Sequence, residues 1–158
     1  MKERLITLRL TERTHDELNR DDQELVAAAQ AAIDSSYAPY STFHVGAAIR
    51  LDDGSIVTGA NQENAAFPSG LCAERTAAFY AGAKYRGRKF LAIAIAASEG
   101  ESALLTDYPI SPCAACRQVL LEYEKLAGKG VRVLMASRDS VLEAESVASL
   151  VPLAFTSL

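Results

Sequence analysis

The chain has 158 residues, a length typical of one domain and sufficient for a single buried core. Hydrophobic residues make up 49% of it and charged residues 23%, which argues against disorder as a description of the whole chain. Sixteen basic and 20 acidic residues give a net charge of −4. This balance argues against nucleic acid as a partner but does not exclude a small ligand.

The longest plain apolar run covers residues 90–97, whereas a membrane-spanning helix needs about 20 residues. The N-terminus mixes charges and lacks the apolar stretch of a signal peptide. We therefore expect a cytoplasmic protein with no membrane partner. The chain has three cysteines, an odd number that cannot form a full disulfide framework. In a reducing compartment, clustered cysteines favour metal binding or catalysis.

Residues 1–20 are mixed and polar, and they predict a short edge strand or a loosely held arm ahead of a domain over residues 21–158. Asp21 or Asp22 can cap a helix that runs to about Ser35, because its apolar residues recur at helical spacing. Two strands are then predicted over residues 43–51 and 55–60. The Asp-Gly pair between them indicates a hairpin turn.

A polar loop separates this hairpin from a helix predicted from Cys72 to about Ala83. The apolar run 90–97 predicts a buried strand. A further helix is predicted over 113–125, with Pro112 in its first turn. The chain continues with a short strand at 131–136 and a mostly helical segment at 141–151.

We expect a tail over residues 152–158. The alternation of helices and strands predicts a three-layer α/β/α sandwich, in which an initial antiparallel hairpin joins a mixed sheet and helices cover both faces.

The most informative pattern is Cys72-Ala73-Glu74 together with Cys113 and Cys116. Cysteines three residues apart on a helix share one face, so both can reach one zinc ion at about 2.3 Å. A third thiolate from another helix start would complete three protein ligands. Three ligands leave a fourth position open, as in catalytic zinc sites. Glu74 is then placed to take and return a proton without binding the metal.

Other interpretations of the cysteines remain open at this point. A lone Cys-x-x-Cys pair is also typical of redox proteins and structural zinc sites, and free cysteine packs as a small hydrophobic residue. A redox pair would leave Cys72 and Glu74 unexplained. The joint pattern C-A-E followed by P-C-x-x-C is more specific, because it is a signature of zinc deaminases.

Four ordered blocks make the chain resemble the small homotetrameric cytidine deaminases from about Asp21 to Phe155. The blocks are Y-A-P-Y-S-T-F-H-V-G-A-A from Tyr37, G-A-N-Q-E-N-A-A from Gly59, C-A-E-R-T-A from Cys72 and S-P-C-A-A-C-R-Q from Ser111. One departure is Ala114, which stands where the family usually has glycine. Alanine is sterically acceptable if this position lies in a helical first turn.

The resemblance implies a cytidine deaminase-like fold, a mixed sheet of five strands and one zinc ion on Cys72, Cys113 and Cys116. It also implies hydrolytic deamination of cytidine or deoxycytidine in pyrimidine salvage, with Glu74 as the proton shuttle.

The resemblance further implies a set of substrate contacts. Asn61 and Glu63 would hydrogen-bond the ribose, Phe43 would pack on the pyrimidine, and the backbone of Ala73 would help to hold the base. A homotetramer is implied too, in which Phe155 is a candidate to approach the active site of a neighbouring subunit. Phe43 and Phe155 could instead be ordinary core residues. His44 lies within a matching block and is expected on the solvent side of a strand.

Arg75 and Arg117 have an electrostatic interpretation. Zn²⁺ with three thiolates has a formal charge of 2 − 3 = −1, which makes the metal a weaker Lewis acid. Arginines that donate to the sulfurs would offset this charge. The alternative is that each arginine is solvated or lies at an interface.

Three other functions remain as rivals. They are a zinc deaminase for a modified nucleoside, an editing deaminase for tRNA or DNA, and a catalytically silent subunit that uses zinc only to fold.

Overall fold

The computed structural model describes residues 1–156, so the last two residues of the predicted tail lie outside the described residues. Within this range, six strands and three α-helices alternate. In chain order they are β1 (Leu10–Thr14), α1 (Arg20–Ala32), β2 (Phe43–Leu51), β3 (Ile56–Ala60), α2 (Ala73–Lys84), β4 (Phe90–Glu99), α3 (Ala114–Ala127), β5 (Arg132–Ala136) and β6 (Ser140–Ala144). No helix of residues 1–156 is both long and apolar enough to cross a membrane.

All six strands belong to one mixed sheet in the order β1-β6-β5-β4-β2-β3. The β2–β3 hairpin pairs antiparallel, as the Asp-Gly turn predicts, and only β4 and β5 run parallel. The α/β class and the mixed sheet are confirmed, whereas the expectation of five strands is wrong. The sixth strand is β1, which pairs antiparallel with β6 from Leu10 opposite Ala144 to Thr14 opposite Ser140.

The prediction of a mostly helical segment at 141–151 is also wrong at its start. Residues Ser140–Ala144 form β6, and only Ala148–Leu150 make a short 3-10 turn. Leu142, Glu143 and Ala144 are good helix formers. They adopt the extended form because β6 has a hydrogen-bonded partner strand on both sides, β5 and β1.

The helix boundaries differ slightly from the prediction. Asn19 caps α1, accepting a hydrogen bond from the backbone N–H of Asp22 at 2.9 Å. Pro112 precedes the N-cap of α3 instead of lying in its first turn, and Ala114 is the first residue of that helix.

Two cores lie on opposite faces of the sheet. On one face α2 and α3 pack against alternate residues of β4, including Ile93 and Ile95. On the other face α1 covers Ala92, Ala94 and Ala96 of the same strand. The three-layer arrangement is therefore present, and β4 is its central element.

Two glycines let the helices approach the β2–β3 hairpin closely. A Cβ atom on Gly46 would lie 2.1 Å from the carbonyl oxygen of Ala29 in α1. On the other side, a Cβ atom on Gly59 would lie 2.8 Å from the carbonyl oxygen of Ala73, the first residue of α2. Gly59 thus allows the first turn of α2, which carries Glu74, to lie close against β3.

Candidate metal centre and substrate cleft

The three cysteines converge at the starts of two helices. Cys72 is the N-cap of α2, Cys113 is the N-cap of α3, and Cys116 lies one turn into α3. Their sulfur atoms all lie within 4.8 Å of one another. The backbone N–H of Cys116 donates to the sulfur of Cys113 at 3.5 Å. Helix N-termini favour negative charge, so this arrangement favours thiolates.

The spacing of the sulfurs fits zinc. Two ligands about 2.3 Å from a tetrahedral zinc lie about 3.8 Å apart. The sulfurs of Cys72 and Cys113 are 3.9 Å apart. Hydrogen bonds from Cys116 and Arg75 lower the pKa of Cys72, whereas the hydrogen bond to Cys72 and burial raise the pKa of Cys116. Three thiolates this close together repel one another, so all three can be ionised only with a cation between them.

Glu74 is buried beside the cysteines. It is the second residue of α2, and only 5% of its surface is exposed. Burial is the main reason why its pKa rises to about 7, and the charge of Cys72 adds to the effect. A carboxyl group with such a pKa exchanges protons readily near neutral pH, which is what a general acid and base requires.

The two arginines predicted to contact the thiolates differ in the structure. The guanidinium of Arg75 donates to the sulfur of Cys72 at 3.7 Å. Its buried Nε has no hydrogen-bond partner among the described residues. Arg117 instead donates to oxygens: the carbonyl of Pro112 at 2.7 Å, the carbonyl of Leu150 at 3.2 Å and the hydroxyl of Ser111 at 2.8 Å. Arg117 thus connects the segment before Cys113 to the C-terminal part of the chain.

The structure holds Asn61 and Glu63 in fixed positions next to the cysteines. The backbone of Gln62, between them, bridges to Tyr37 and Leu71. The carboxylate of Glu63 accepts hydrogen bonds from the backbone N–H groups of Tyr40 at 2.9 Å and Ser41 at 3.2 Å. Hydrogen bonding from Ser41 is the main reason why the pKa of Glu63 is lowered, and His44 contributes through its charge.

A cleft of about 210 Å³ is lined both by residues near the cysteine cluster and by the pair Asn61 and Glu63. Asn61, Glu63, Cys72 and Arg75 all line it, and Phe67 forms part of its wall. Phe67 could not be predicted as a cleft residue, because an aromatic residue in a polar loop belongs to no periodic pattern.

Three other predicted residues, Phe43, Ala73 and Phe155, do not line this cleft. Phe43 begins β2, and Ala73 is fully buried at the start of α2. Phe155 is 66% exposed and lies along α3, where its carbonyl accepts a hydrogen bond from Gln118 at 2.8 Å. It lines a separate cavity of about 580 Å³ near Lys125 and Gly128, at the opposite end of α3 from the cysteines. Phe155 is therefore not part of the cleft of its own chain.

Two polar residues near Asn61, Ser36 and His44, form contacts that the sequence does not predict. His44 is half-buried, and its Nδ1 lies 3.1 Å from the hydroxyl of Ser36, so the expectation of a solvent-facing histidine is only partly met. Ser36 precedes the first block of the resemblance and carries no motif of its own.

A comparison with protein-family models gives one match over most of the chain. Residues 19–129 match the cytidine and deoxycytidylate deaminase zinc-binding region. The matched range contains the three cysteines, Glu74, Asn61 and Glu63.

Two similar proteins are cytidine deaminases. A cytidine deaminase from Halalkalibacterium halodurans is 40% identical over 136 residues, which is 86% of this chain and 95% of the relative. A cytidine deaminase from Sporosarcina psychrophila is 38% identical over 136 residues, which is 86% of this chain and 92% of the relative.

Two solved structures that resemble this chain are also cytidine deaminases. The crystal structure of cytidine deaminase from Burkholderia pseudomallei has a TM-score of 0.69 at 41% identity, and the match covers 84% of this chain and 97% of that one. The structure of cytidine deaminase from Mycobacterium tuberculosis has a TM-score of 0.69 at 34% identity, covering 88% of this chain and 100% of that one.

Proposed function

Because this chain belongs to the cytidine and deoxycytidylate deaminase zinc-binding family and is a hydrolytic deaminase, we propose that it converts cytidine and deoxycytidine to uridine and deoxyuridine. The observation that carries the proposal is one cleft lined both by Cys72 of the three-cysteine cluster and by the polar pair Asn61 and Glu63, with the buried Glu74 beside the cysteines. The overall reaction adds water at C4 of the cytosine ring and releases ammonia.

The cysteine cluster fits zinc by its donor atoms and its spacing. Zinc held by Cys72, Cys113 and Cys116 would supply a Lewis acid that brings the pKa of water towards neutrality. Arg75, which donates to the sulfur of Cys72, offsets part of the negative charge of the three thiolates. Arg117 has a different role in this proposal, because it holds Pro112 and thereby the adjacent Cys113 in place.

Glu74 moves the protons of the reaction. Its carboxylate takes a proton from the attacking water and delivers it to N3 of the ring as the C4–O bond forms. It then takes the proton of the new C4–OH group and delivers it to the departing amino group, so that the C4=O bond forms as the C4–N bond breaks and ammonia leaves. Burial suits the carboxyl to both tasks, because its pKa of about 7 lets it accept and return a proton at neutral pH.

Asn61 and Glu63 suit a hydroxyl group. The amide of Asn61 has an N–H to donate, whereas the ionised carboxylate of Glu63 can only accept. A ribose hydroxyl does both at once, so it satisfies the two side chains together. Phe43 would pack against the pyrimidine and the backbone of Ala73 would help to hold the base.

We further propose a homotetramer that acts in pyrimidine salvage in the cytoplasm, with no nucleic-acid partner. The exposed ring of Phe155, which does not line the cleft of its own chain, would then approach the active site of a neighbouring subunit. Sedimentation at micromolar concentration tests the assembly, because the expected mass is four times the 16.9 kDa of the chain.

The substrate proposal is tested by ammonia release from cytidine, deoxycytidine and free cytosine. We expect turnover of both nucleosides and poor turnover of the base, because a site built for hydroxyls leaves polar groups unpaired when the sugar is missing. Asn61→Ala and Glu63→Ala should each lower kcat/KM for cytidine by roughly 10- to 100-fold and leave the zinc content unchanged. Equal activity on cytosine would contradict the proposed role of this pair.

A further inference from the structure

The amide of Asn61 is held on three sides by its own chain. Its Oδ1 accepts a hydrogen bond from the backbone N–H of Val45 at 2.8 Å, and its Nδ2 donates to the carbonyl of Phe43 at 2.8 Å. These two backbone partners fix which way the amide points, because an N–H requires an acceptor and a carbonyl requires a donor. The hydroxyl of Ser36 completes the set, at 2.6 Å from Oδ1.

The donors and acceptors around Ser36 then determine the role of His44. The amide oxygen of Asn61 carries no hydrogen, so the hydroxyl of Ser36 must donate its only proton to it. Nδ1 of His44 lies 3.1 Å from the same hydroxyl oxygen. Since the hydroxyl has no second proton, it accepts, and Nδ1 of His44 must carry the donated hydrogen. This holds for the Nδ1–H tautomer of the neutral ring and for the charged ring alike.

We propose that His44 and Ser36 form a relay that positions Asn61 for ribose recognition. The relay fills the second acceptor position of Oδ1 and leaves Asn61 with one free N–H for a ligand in the cleft that it lines. Asn61 then acts only as a donor next to Glu63, which acts only as an acceptor. The relay therefore withdraws Oδ1 from ligand binding, so that Asn61 offers a hydroxyl group only its N–H.

The inference deepens the proposed function and rests on it. His44 and Ser36 are positioning residues, because they act through Asn61 and are not placed against the reacting atoms. Their contribution should be specific to the sugar and should leave the zinc centre unchanged.

The first test is Ser36→Ala, assayed with cytidine and with 2′,3′-dideoxycytidine, which lacks both ring hydroxyls. For cytidine we expect KM to rise about three- to tenfold, the size of one lost hydrogen bond, with kcat and zinc content unchanged. For the dideoxy substrate we expect no change, because it has no hydroxyl for Asn61 to bind. The matched control is Ser55→Ala, which removes a hydroxyl hydrogen bond of 2.6 Å to Asp53 at the other end of β2.

The second test compares His44→Asn with His44→Leu. Asparagine places an N–H donor at the same number of bonds from the backbone as Nδ1 of histidine, whereas leucine has a similar size and no donor. The relay predicts a raised KM for cytidine in His44→Leu and a value near that of the wild type in His44→Asn. A general structural role for the ring would raise KM in both variants.

The outcomes separate the inference from the proposed function. If the wild-type protein releases no ammonia from cytidine, the proposed function fails. If the wild type is active and KM for cytidine is unchanged in Ser36→Ala and His44→Leu, the relay is overturned. Equal losses with cytidine and 2′,3′-dideoxycytidine would overturn it as well.

Discussion

At the residue scale, two arginines near the cysteines make different hydrogen bonds. Arg75 lies three residues after Cys72 and Arg117 directly follows Cys116, yet of the two only Arg75 donates to a sulfur. Arg117 donates three hydrogen bonds, to Ser111, Pro112 and Leu150. In the proposed site, Arg75 would act on the charge of the metal centre and Arg117 would act on its geometry.

This division predicts the effect of Arg117→Met, which keeps the length of the side chain and removes its donors. We expect the free energy of unfolding to fall by about 1–3 kcal/mol, because buried acceptors lose their partners. We also expect faster loss of zinc to a chelator, because the segment that precedes Cys113 is no longer held. Denaturant unfolding and chelator competition measure the two effects.

The control for this variant is Arg138→Met. Arg138 forms a surface ion pair with Asp107 at 2.7 Å, and exposed pairs contribute little to stability. Zinc loss from Arg117→Met at the rate seen in the wild type and in this control would contradict the role assigned to Arg117.

At the scale of elements, the site depends on where two helices begin. Gly59 in β3 lets α2 approach so closely that an added Cβ would lie 2.5 Å from the backbone nitrogen of Ala77 and 2.8 Å from the carbonyl oxygen of Ala73. Both neighbours are backbone atoms, which cannot rotate away as a side chain does. The position of Cys72 and Glu74 therefore depends on a glycine in a different element.

Gly59→Ala should destabilise the protein by about 1–3 kcal/mol, the usual cost of overpacking a core. It should also weaken zinc binding, because α2 must shift at its first residue. Thr58→Ala, at an exposed position of the same strand, is the matched control for a change of side chain in β3. Wild-type stability and zinc content in Gly59→Ala would show that the close contact is unimportant.

The elements also show how far the sequence could predict the structure. The hairpin of β2 and β3 and the starts of α2 and α3 follow from local signals: an Asp-Gly turn, and cysteines at the head of helical patterns. β6 could not be predicted in this way, because Leu142, Glu143 and Ala144 favour a helix when read alone. Its partners on both sides, β1 and β5, decide its conformation, and pairing between distant segments leaves no local pattern.

In the candidate site, too, some residues could be predicted from the sequence and others could not. The proposed zinc ligands and Glu74 could be predicted from the sequence, because their spacing indicates the chemistry. The contacts of Ser36 with Asn61 and with His44 could not be predicted, because they join residues 25 and 8 positions apart through side chains.

At the scale of the whole molecule, a network of charges ties the N-terminal strand to the rest of the fold. Glu143 of β6 pairs with Arg13 of β1 and, at 3.2 Å, with Arg132 of β5. Arg132 in turn donates to Asp22 of α1 at 2.7 Å. The network thus joins three strands and the helix on one face of the sheet.

Asp22 gives this network a pH dependence. Burial opposes ionisation of its carboxyl, but the hydrogen bonds and charge of Arg132 outweigh burial and leave its pKa below the ordinary value of 3.8. A lowered pKa in the folded state means that the ionised carboxylate stabilises the protein above the unfolded pKa. This contribution is lost as the pH falls through the folded pKa.

Asp22→Asn should therefore lower the free energy of unfolding at pH 7 by about 1–3 kcal/mol. The difference from the wild type should shrink below about pH 4, where the unfolded carboxyl becomes protonated. Denaturant unfolding at several pH values measures it. A difference that stays constant down to pH 3 would show that the charge of Asp22 does not stabilise the network.

The central claim is that Glu74 moves protons at a zinc centre that it does not help to form. Glu74→Gln tests it most directly when bound zinc and ammonia release from cytidine are measured in the same sample, with the exposed Glu122→Gln as the control. We expect about one zinc per chain in both variants, wild-type turnover in the control, and a loss of kcat of roughly a thousandfold in Glu74→Gln. Zinc retained together with full turnover in Glu74→Gln would contradict the account.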